Sequence, residues 1–248
     1  AIVSEQPGTT RDAVDVRIEL DDRVFTAIDT AGVQRKQSMR DAVAQYSHHR
    51  ALRAIRRADV CLLIIDASEP VSQVDRKLVN EVVTHHRPTV LVVNKWDLAE
   101  QNHTTDEFAA YFDDQLKGLS FAPIVFTSAT QGEGLKEALE MAAALYDQAN
   151  HRVSTGELNR AVETIMAERG PRTKGGKPGR VFYATQTAVD PPTIVLFVND
   201  PEVFDAGFQR FLLNRFRDLL PFPEVPIKLR IRGRDRQKAG TSHSAEAR

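Results

Sequence analysis

The sequence predicts an α/β domain with a mostly parallel sheet, followed by a smaller α+β domain, and three observations carry that prediction. Short continuous apolar runs, VCLLII at 60–65, TVLVV at 89–93 and IVFT at 124–127, are strand-sized and lack the alternation of a half-exposed sheet. Stretches with helical spacing of apolar residues separate them, the arrangement that gives parallel strands covered by helices. Beyond residue 150 the order changes to helix, strand, strand, helix, strand, which is an α+β pattern.

The elements follow in order. Segments 14–20 and 24–28 flank Asp21-Asp22-Arg23 and read as a hairpin. A helix is expected over 41–58, with Tyr46, Leu52 and Ile55 among basic residues, and a strand over 59–66. Leu78 and Val82 place a helix over 72–86, Phe108, Phe112 and Leu116 another over 105–117, and Leu135, Leu139 and Leu145 a third over 135–149. Ser154 and Thr155 are capping residues ahead of Leu158, Val162 and Ile165. A loop rich in Gly, Pro and cations (170–180) leads to strands 181–189 and 193–199, a helix 203–219 and a strand 226–232. The expected domains are therefore 1–149 and 150–232, with 233–248 a disordered tail.

The 248 residues carry a net charge of −1, but unevenly: residues 1–149 hold 16 cations against 23 carboxylates, net −7, and 150–248 hold 17 against 11, net +6. An acidic first part and a basic second part suggest that the second faces something anionic. The longest apolar runs fall far short of a membrane span, so no membrane contact is expected. Cys61 is alone, which excludes a disulfide framework within the chain and points to a reducing, cytoplasmic location.

Four motifs stand at or near strand ends. Asp29-Thr30-Ala31-Gly32 directly follows strand 24–28: a carboxylate there can hold a magnesium-bound water, and the glycine lets a backbone N–H approach a terminal phosphate. The alternative is a simple strand-end turn. Asn94-Lys95-Trp96-Asp97 directly follows strand 89–93. A carboxylate accepts two hydrogen bonds from guanine, from N1–H and from the exocyclic amine, and adenine cannot offer that pair. The Asn94 amide can bind the other edge of the base and the Lys95 stem can pack along the ring, while Trp96 either joins them or only packs. Such a site discriminates by about 10⁴–10⁵-fold, because the wrong base leaves buried groups unpaired. Ser128-Ala129, after strand 124–127, would offer a backbone N–H to the guanine carbonyl. Pro7-Gly8-Thr9-Thr10-Arg11-Asp12 precedes the hairpin; its Thr hydroxyls could complete magnesium coordination, or the stretch is a Pro-Gly turn with a capping Thr.

In that order, these motifs are those of a small GTPase. Together with YSHHRALRAIRRADV (46–60) and VFYATQTAVDPPTIVLFVND (181–200), the chain resembles the second GTPase domain of the Der (EngA) family and that family's C-terminal KH-like domain, over about 1–232. The resemblance implies a P-loop-type GTPase domain followed by a small KH-like domain, GTP and GDP as ligands, and Mg2+ held by Thr10 and Asp29, partly through water. It also implies a monovalent cation in hydrolysis, and action on the large ribosomal subunit and its RNA. The phosphate region would comprise Thr9, Thr10, Asp29, Thr30, Ala31, Gly32 and Val33, and the guanine site Asn94, Lys95, Trp96, Asp97, Ser128 and Ala129. A tRNA-modifying relative shares the Thr-Thr-Arg-Asp and Asp-Thr-Ala-Gly pieces, but its GTPase domain lies inside a helical domain.

The chain departs from that pattern in two respects. No Gly-x-x-x-x-Gly-Lys-Ser/Thr occurs in it. That loop cradles the phosphates, and losing about four charge-assisted bonds of about 1.5–3 kcal/mol each would leave the fragment without tight nucleotide binding. The expectation is a GTPase whose first strand and phosphate loop lie upstream, in contact with a further upstream GTPase domain, and a chain inactive by itself. The alternative is a non-catalytic RNA- or ribosome-binding protein. Second, many GTPases position the attacking water with a Gln directly after Asp-Thr-Ala-Gly; here Val33 stands there and Gln34 follows, beside Arg35 and Lys36, so Gln34 is either catalytic or part of a basic loop.

The cluster His48, His49, Arg50, Arg53, Arg56 and Arg57 reads as phosphate contacts to RNA or as a solvated helix face. Neither His48-His49 nor His85-His86 has zinc-ligand spacing. Gly176-Lys177-Pro178-Gly179 fits Gly-x-x-Gly but precedes a strand instead of joining two helices, so RNA contacts are expected from the loop's cations and from Arg230, Arg232, Arg234 and Arg236.

Overall fold

A strand that is apolar at every position can be covered on both faces, and the middle strand of the first sheet is buried along its length up to its last residue. The structure, a computed structural model, describes residues 15–28, 42–101, 103–171 and 178–233. Strands β3 (Cys61–Asp66), β4 (Thr89–Asn94) and β5 (Ile124–Thr127) form a parallel sheet in that order. Leu91 and Val93 pack with Val79 and Val82 of helix α2 (Gln73–Thr84) and Phe112 of α3 (Thr105–Gln115) in one apolar cluster. Val90 and Val92 alternate to the other face, where α4 (Leu135–Asn150) lies against the sheet and buries Ala142 and Leu145. Helices thus cover both faces of β4, while Leu62 and Ile64 of β3 stay partly exposed.

Local chemistry sets the helix ends. Ser72 and Asp75 form a reciprocal capping box at the start of α2, and Thr104 and Glu107 another at the start of α3. The spacing predicts α2 as far as residue 86; the helix stops at Thr84 because His86 takes a left-handed backbone, φ 50°. Helix α1 occupies Ala42–Arg57. The hairpin is β1 (Asp15–Leu20) with β2 (Arg23–Ile28), closed by Asp21 at φ 52° and Asp22, so that Arg23 is the first strand residue and no part of the turn. Its guanidinium forks the Asp147 carboxylate of α4 at 2.6 and 3.2 Å. Among the described residues the hairpin and the three-stranded sheet are separate sheets.

Two cations of the basic α1 face already have partners: Arg57 reaches Asp15 at 3.1 Å and Arg56 donates to His85 at 3.3 Å. Cys61, at the start of β3, has its thiol pushed up to about 11 by burial, against a small opposing pull from Arg87. No helix of the described residues is long and apolar enough to cross a membrane.

The chain divides into two compact units, the first running to His151 and taking in 189–192 and 221–227. The second contains α5 (Thr155–Glu168), β6 (Val181–Ala188), β7 (Thr193–Val198), α6 (Ala206–Leu219) and β8 (Lys228–Gly233), the predicted αββαβ order. Its sheet runs β6-β7-β8, antiparallel then parallel. Ala184, Ile194, Leu196 and Val198 are buried, as are Leu158 and Ile165 of α5 and Leu212 and Phe216 of α6. Asn159 of α5 pins the sheet edge, donating to the Ala184 carbonyl at 2.9 Å and accepting from its N–H at 2.8 Å. Arg215 ties α6 to α5 through a two-pronged bond to Glu168 at 2.7 and 2.8 Å. Two of these elements start later than the sequence pattern predicts. Helix α6 starts at Ala206 and not at 203, because the Asp205 carboxylate caps the Phe208 N–H at 2.8 Å. Strand β8 starts at Lys228, past Pro226, which has no N–H to give a ladder.

Candidate functional site

In a parallel sheet every strand ends at the same edge, so residues at the strand ends are gathered without any long loop. Here Asp66, Asn94 and Thr127 are paired in register across β3, β4 and β5. The three segments that follow, 67–72, 95–101 and 128–134, therefore leave one rim of the sheet.

Asn94 organises the rim. Its side-chain oxygen accepts from the Ala129 N–H at 3.1 Å and from the Thr127 hydroxyl at 3.2 Å. That leaves Nδ2 as the group this amide can offer to a base. Its backbone carbonyl accepts from the Ala67 N–H at 2.8 Å, so one residue fastens the ends of all three strands. The Ala129 N–H is thus directed to Asn94 and the Ser128 N–H to the Glu133 carbonyl at 3.1 Å, whereas the sequence expectation aimed an N–H of this pair at a guanine carbonyl. The cause is local: Ser128 is buried, and its carbonyl accepts from Gln131, Gly132 and Glu133, curling 128–133 into a closed turn.

Lys95 sits in the left-handed region, φ 63° and ψ 34°, and its ammonium meets the Asp66 carboxylate at 2.9 Å. Asp66 also accepts from the Ser68 N–H at 2.9 Å and the Ser68 hydroxyl at 2.6 Å. Burial works to raise the Asp66 carboxyl, but the bonds from Lys95 and Ser68 outweigh it and hold the group below the ordinary carboxylate range. Asp66 had no role in the sequence reading, although a carboxylate closing an apolar strand is the same signal that drew attention to Asp29. Lys95 and Asp97 belong to one short segment: a 3₁₀ turn, Trp96–Leu98, follows the strand and carries Asp97, which is half-buried.

Trp96 packs. Its ring lies 4.4 Å from Phe126 and meets Phe108 edge-on at 5.2 Å, so it anchors the segment to the core beneath the rim. Gly134, φ 71°, begins α4 directly after the 128–133 turn, and a Cβ there would lie 2.2 Å from the Phe126 carbonyl oxygen. Nothing local in the sequence marks this requirement.

The phosphate and magnesium candidates, Thr9, Thr10, Asp29, Thr30, Ala31, Gly32 and Val33, and the candidate Gln34, lie outside the described residues. Among the described residues no group of His, Cys, Asp and Glu is arranged to hold a metal ion.

Two family models match the chain. Residues 1–95 match one described as a 50S ribosome-binding GTPase, and residues 152–232 match the KH-domain-like C-terminal domain of EngA bacterial GTPase enzymes. The GTPase Der of Rhodopirellula baltica is 44% identical over 247 residues, covering 100% of this chain and 54% of that protein. That of Sulfurihydrogenibium sp. is 41% identical over 237 residues, covering 96% of this chain and 53% of that protein. The chain spans about half the length of the curated relatives it matches. Among solved structures, Era in complex with MgGDPNP and a segment of 16S ribosomal RNA is similar at a TM-score of 0.49 and 19% identity, over 95% of this chain and 85% of that one. Over that half of its relatives' length, the chain belongs to the GTPase Der (EngA) family.

Proposed function

We propose that the rim at Asp66, Asn94 and Thr127 is the guanine end of a nucleotide site, and that the intact protein hydrolyses GTP in the service of large ribosomal subunit assembly in the cytoplasm. The observation that carries this reading is the register of the three strand ends, with Asn94 holding Ala129 and Thr127 while Asp97 stands three residues on. Asp97 accepts the two guanine donors, Nδ2 of Asn94 takes the opposite edge, and Lys95 lies along the ring. Lys95 must leave Asp66 or share it when the base enters, since its ammonium lies 2.9 Å from that carboxylate. Ala129 serves by holding the Asn94 oxygen, and Ser128 by closing the 128–133 turn that presents Ala129.

The phosphate end rests on family membership. Thr9 and Thr10 close over the γ-phosphate, Thr10 and Asp29 hold magnesium, partly through water, and Thr30 to Val33 approach the phosphate through backbone. Magnesium supplies charge neutralisation on the phosphates. A monovalent cation and backbone groups take the place of a Gln at Val33, and Gln34 is the remaining side-chain candidate for positioning water. Leu62 and Ile64, on the face of β3 that carries Val90 and Val92 in β4, are 39% and 62% exposed, which supports further cover over this part of the sheet in the intact protein. In the intact protein the parts found here also meet the upstream GTPase domain. We take the domains as 1–149 and 150–232; Gly233, expected in the tail, is instead the last residue of β8, and 234–248 lie outside the described residues.

The test is equilibrium binding of labelled GDP to this chain and to a form extended upstream through the phosphate loop. The proposal expects negligible binding by the first and tight, magnesium-dependent binding by the second. Binding by neither, together with retained binding to large subunits, would establish the alternative, a non-catalytic RNA- or ribosome-binding protein.

A further inference from the structure

Lys95 is held at both ends by the close of β3. The peptide carbonyl that precedes it, of Asn94, accepts from the Ala67 N–H at 2.8 Å, and its ammonium meets Asp66 Oδ2 at 2.9 Å. Between these ends its backbone stays at φ 63°, a region that residues other than glycine seldom enter. Asp66 is itself fixed. Its Oδ1 accepts from the Ser68 N–H at 2.9 Å and from the Ser68 hydroxyl at 2.6 Å, so the carboxylate cannot turn without losing those bonds. The two oxygens therefore have separate duties, one towards Ser68 and one towards Lys95. The stem of Lys95 runs along the rim from the end of β4 to the end of β3.

For stability alone this pair is a weak device, because the Lys95 side chain is 53% exposed. Its effect on the stem is larger. An unrestrained lysine samples many rotamers and loses that freedom when a ring settles on it. Lys95 has lost it beforehand. We propose that Asp66 is a positioning residue for the nucleotide, acting through Lys95 and touching no part of the ligand. It keeps the ammonium while the base enters, so the methylene stem stands ready as the packing surface of the ring and Lys95 is shared, not released. The choice of base stays with Asp97. The inference rests on the nucleotide reading above and adds the residue that sets affinity for the ring.

The experiment is a fluorescence titration of GDP against the upstream-extended protein. It is run in about 1 M salt, where the screening length is about 3 Å and the charge removed from Asp66 has little hold on the phosphates. Asp66→Asn leaves Ser68 an acceptor and turns an amide NH2 towards the ammonium, which breaks the pair without removing bulk. It is expected to weaken GDP by about 2- to 12-fold, the range for ordering one long side chain. Inosine diphosphate, which lacks the exocyclic amine, should weaken by the same factor, because the stem packs on either ring. In GTP turnover, KM should rise by that factor with kcat unchanged. Asp66→Glu keeps the carboxylate and should lie nearer the parent than Asp66→Asn. In a Lys95→Met background Asp66→Asn should have no further effect on affinity, an outcome that a merely structural role would not give. Urea midpoints confirm that each variant is folded. The proposal is overturned if Asp66→Asn does not weaken GDP binding, if its loss persists in the Lys95→Met background, or if it alters the ratio of GDP to inosine diphosphate affinity as Asp97→Asn would. Absence of GDP binding by the unsubstituted extended protein would overturn the nucleotide reading and this inference with it, so the two failures are told apart.

Discussion

Gly134 gives a stability prediction whose size can be worked from the structure. It occupies φ 71°, where an L side chain costs about 1–2 kcal/mol. A Cβ at this position would also lie 2.2 Å from the Phe126 carbonyl oxygen and 3.0 Å from Thr127 Cγ2. The first neighbour is β-strand backbone and cannot swing aside, so the overlap adds about 1–3 kcal/mol of displaced structure. Gly134→Ala should therefore cost about 2–5 kcal/mol. Gly132 supplies the control from the same turn: its φ is 78°, but a Cβ there meets nothing within 4 Å, so Gly132→Ala should cost only the backbone share, about 1–2 kcal/mol. Urea unfolding of the two variants and the parent, followed by circular dichroism, measures both, and their difference isolates the steric part. Equal losses within about 0.5 kcal/mol would refute the claim that α4 is held against the end of β5 by a contact only glycine permits.

Three further outcomes follow from the rim and its neighbours. Asn94→Ala removes the acceptor for Ala129 and Thr127 and should cost about 1–2 kcal/mol, with faster hydrogen exchange at the Ala129 amide; an unchanged exchange rate would contradict its organising role. Because Asp66 is held below its ordinary range, its contribution is complete above the unfolded value, about pH 3.9, and fades as pH falls through the lower folded value. The stability gap between the parent and Lys95→Met should accordingly be constant from about pH 5 upward and shrink in acid, which pH-dependent urea midpoints would reveal. With its thiol pushed up to about 11, Cys61 should react with a disulfide reagent at pH 7.5 far more slowly than it does in urea, and equal rates would contradict its burial.

How much of this was legible beforehand depends on the range of the interaction involved. Strands β3, β4 and β5 were readable because each carries a short continuous apolar run, and α3 because Phe108, Phe112 and Leu116 recur at helical spacing. The family was readable because the guanine motif 94–97 stands at a strand end and VFYATQTAVDPPTIVLFVND follows at 181–200. What escaped was set by partners distant in sequence. Nothing near Asp66 announces Lys95, nothing near Asn94 announces Ala129, and Gly134 is constrained by the backbone of a different element. Trp96 lay between the two cases, since its segment was evident but its contacts with Phe108 and Phe126 form only once β5 and α3 are in place.

The most direct test of the account is nucleotide selectivity in the upstream-extended protein, read as GDP against ADP affinity before and after Asp97→Asn. If Asp97 takes two hydrogen bonds from guanine at a rim fixed by Asn94, GDP should bind about 10⁴-fold or more tightly than ADP, and the substitution should remove most of that preference while leaving the fold intact. An ADP affinity within tenfold of GDP in the unsubstituted protein, or a preference untouched by Asp97→Asn, would contradict it.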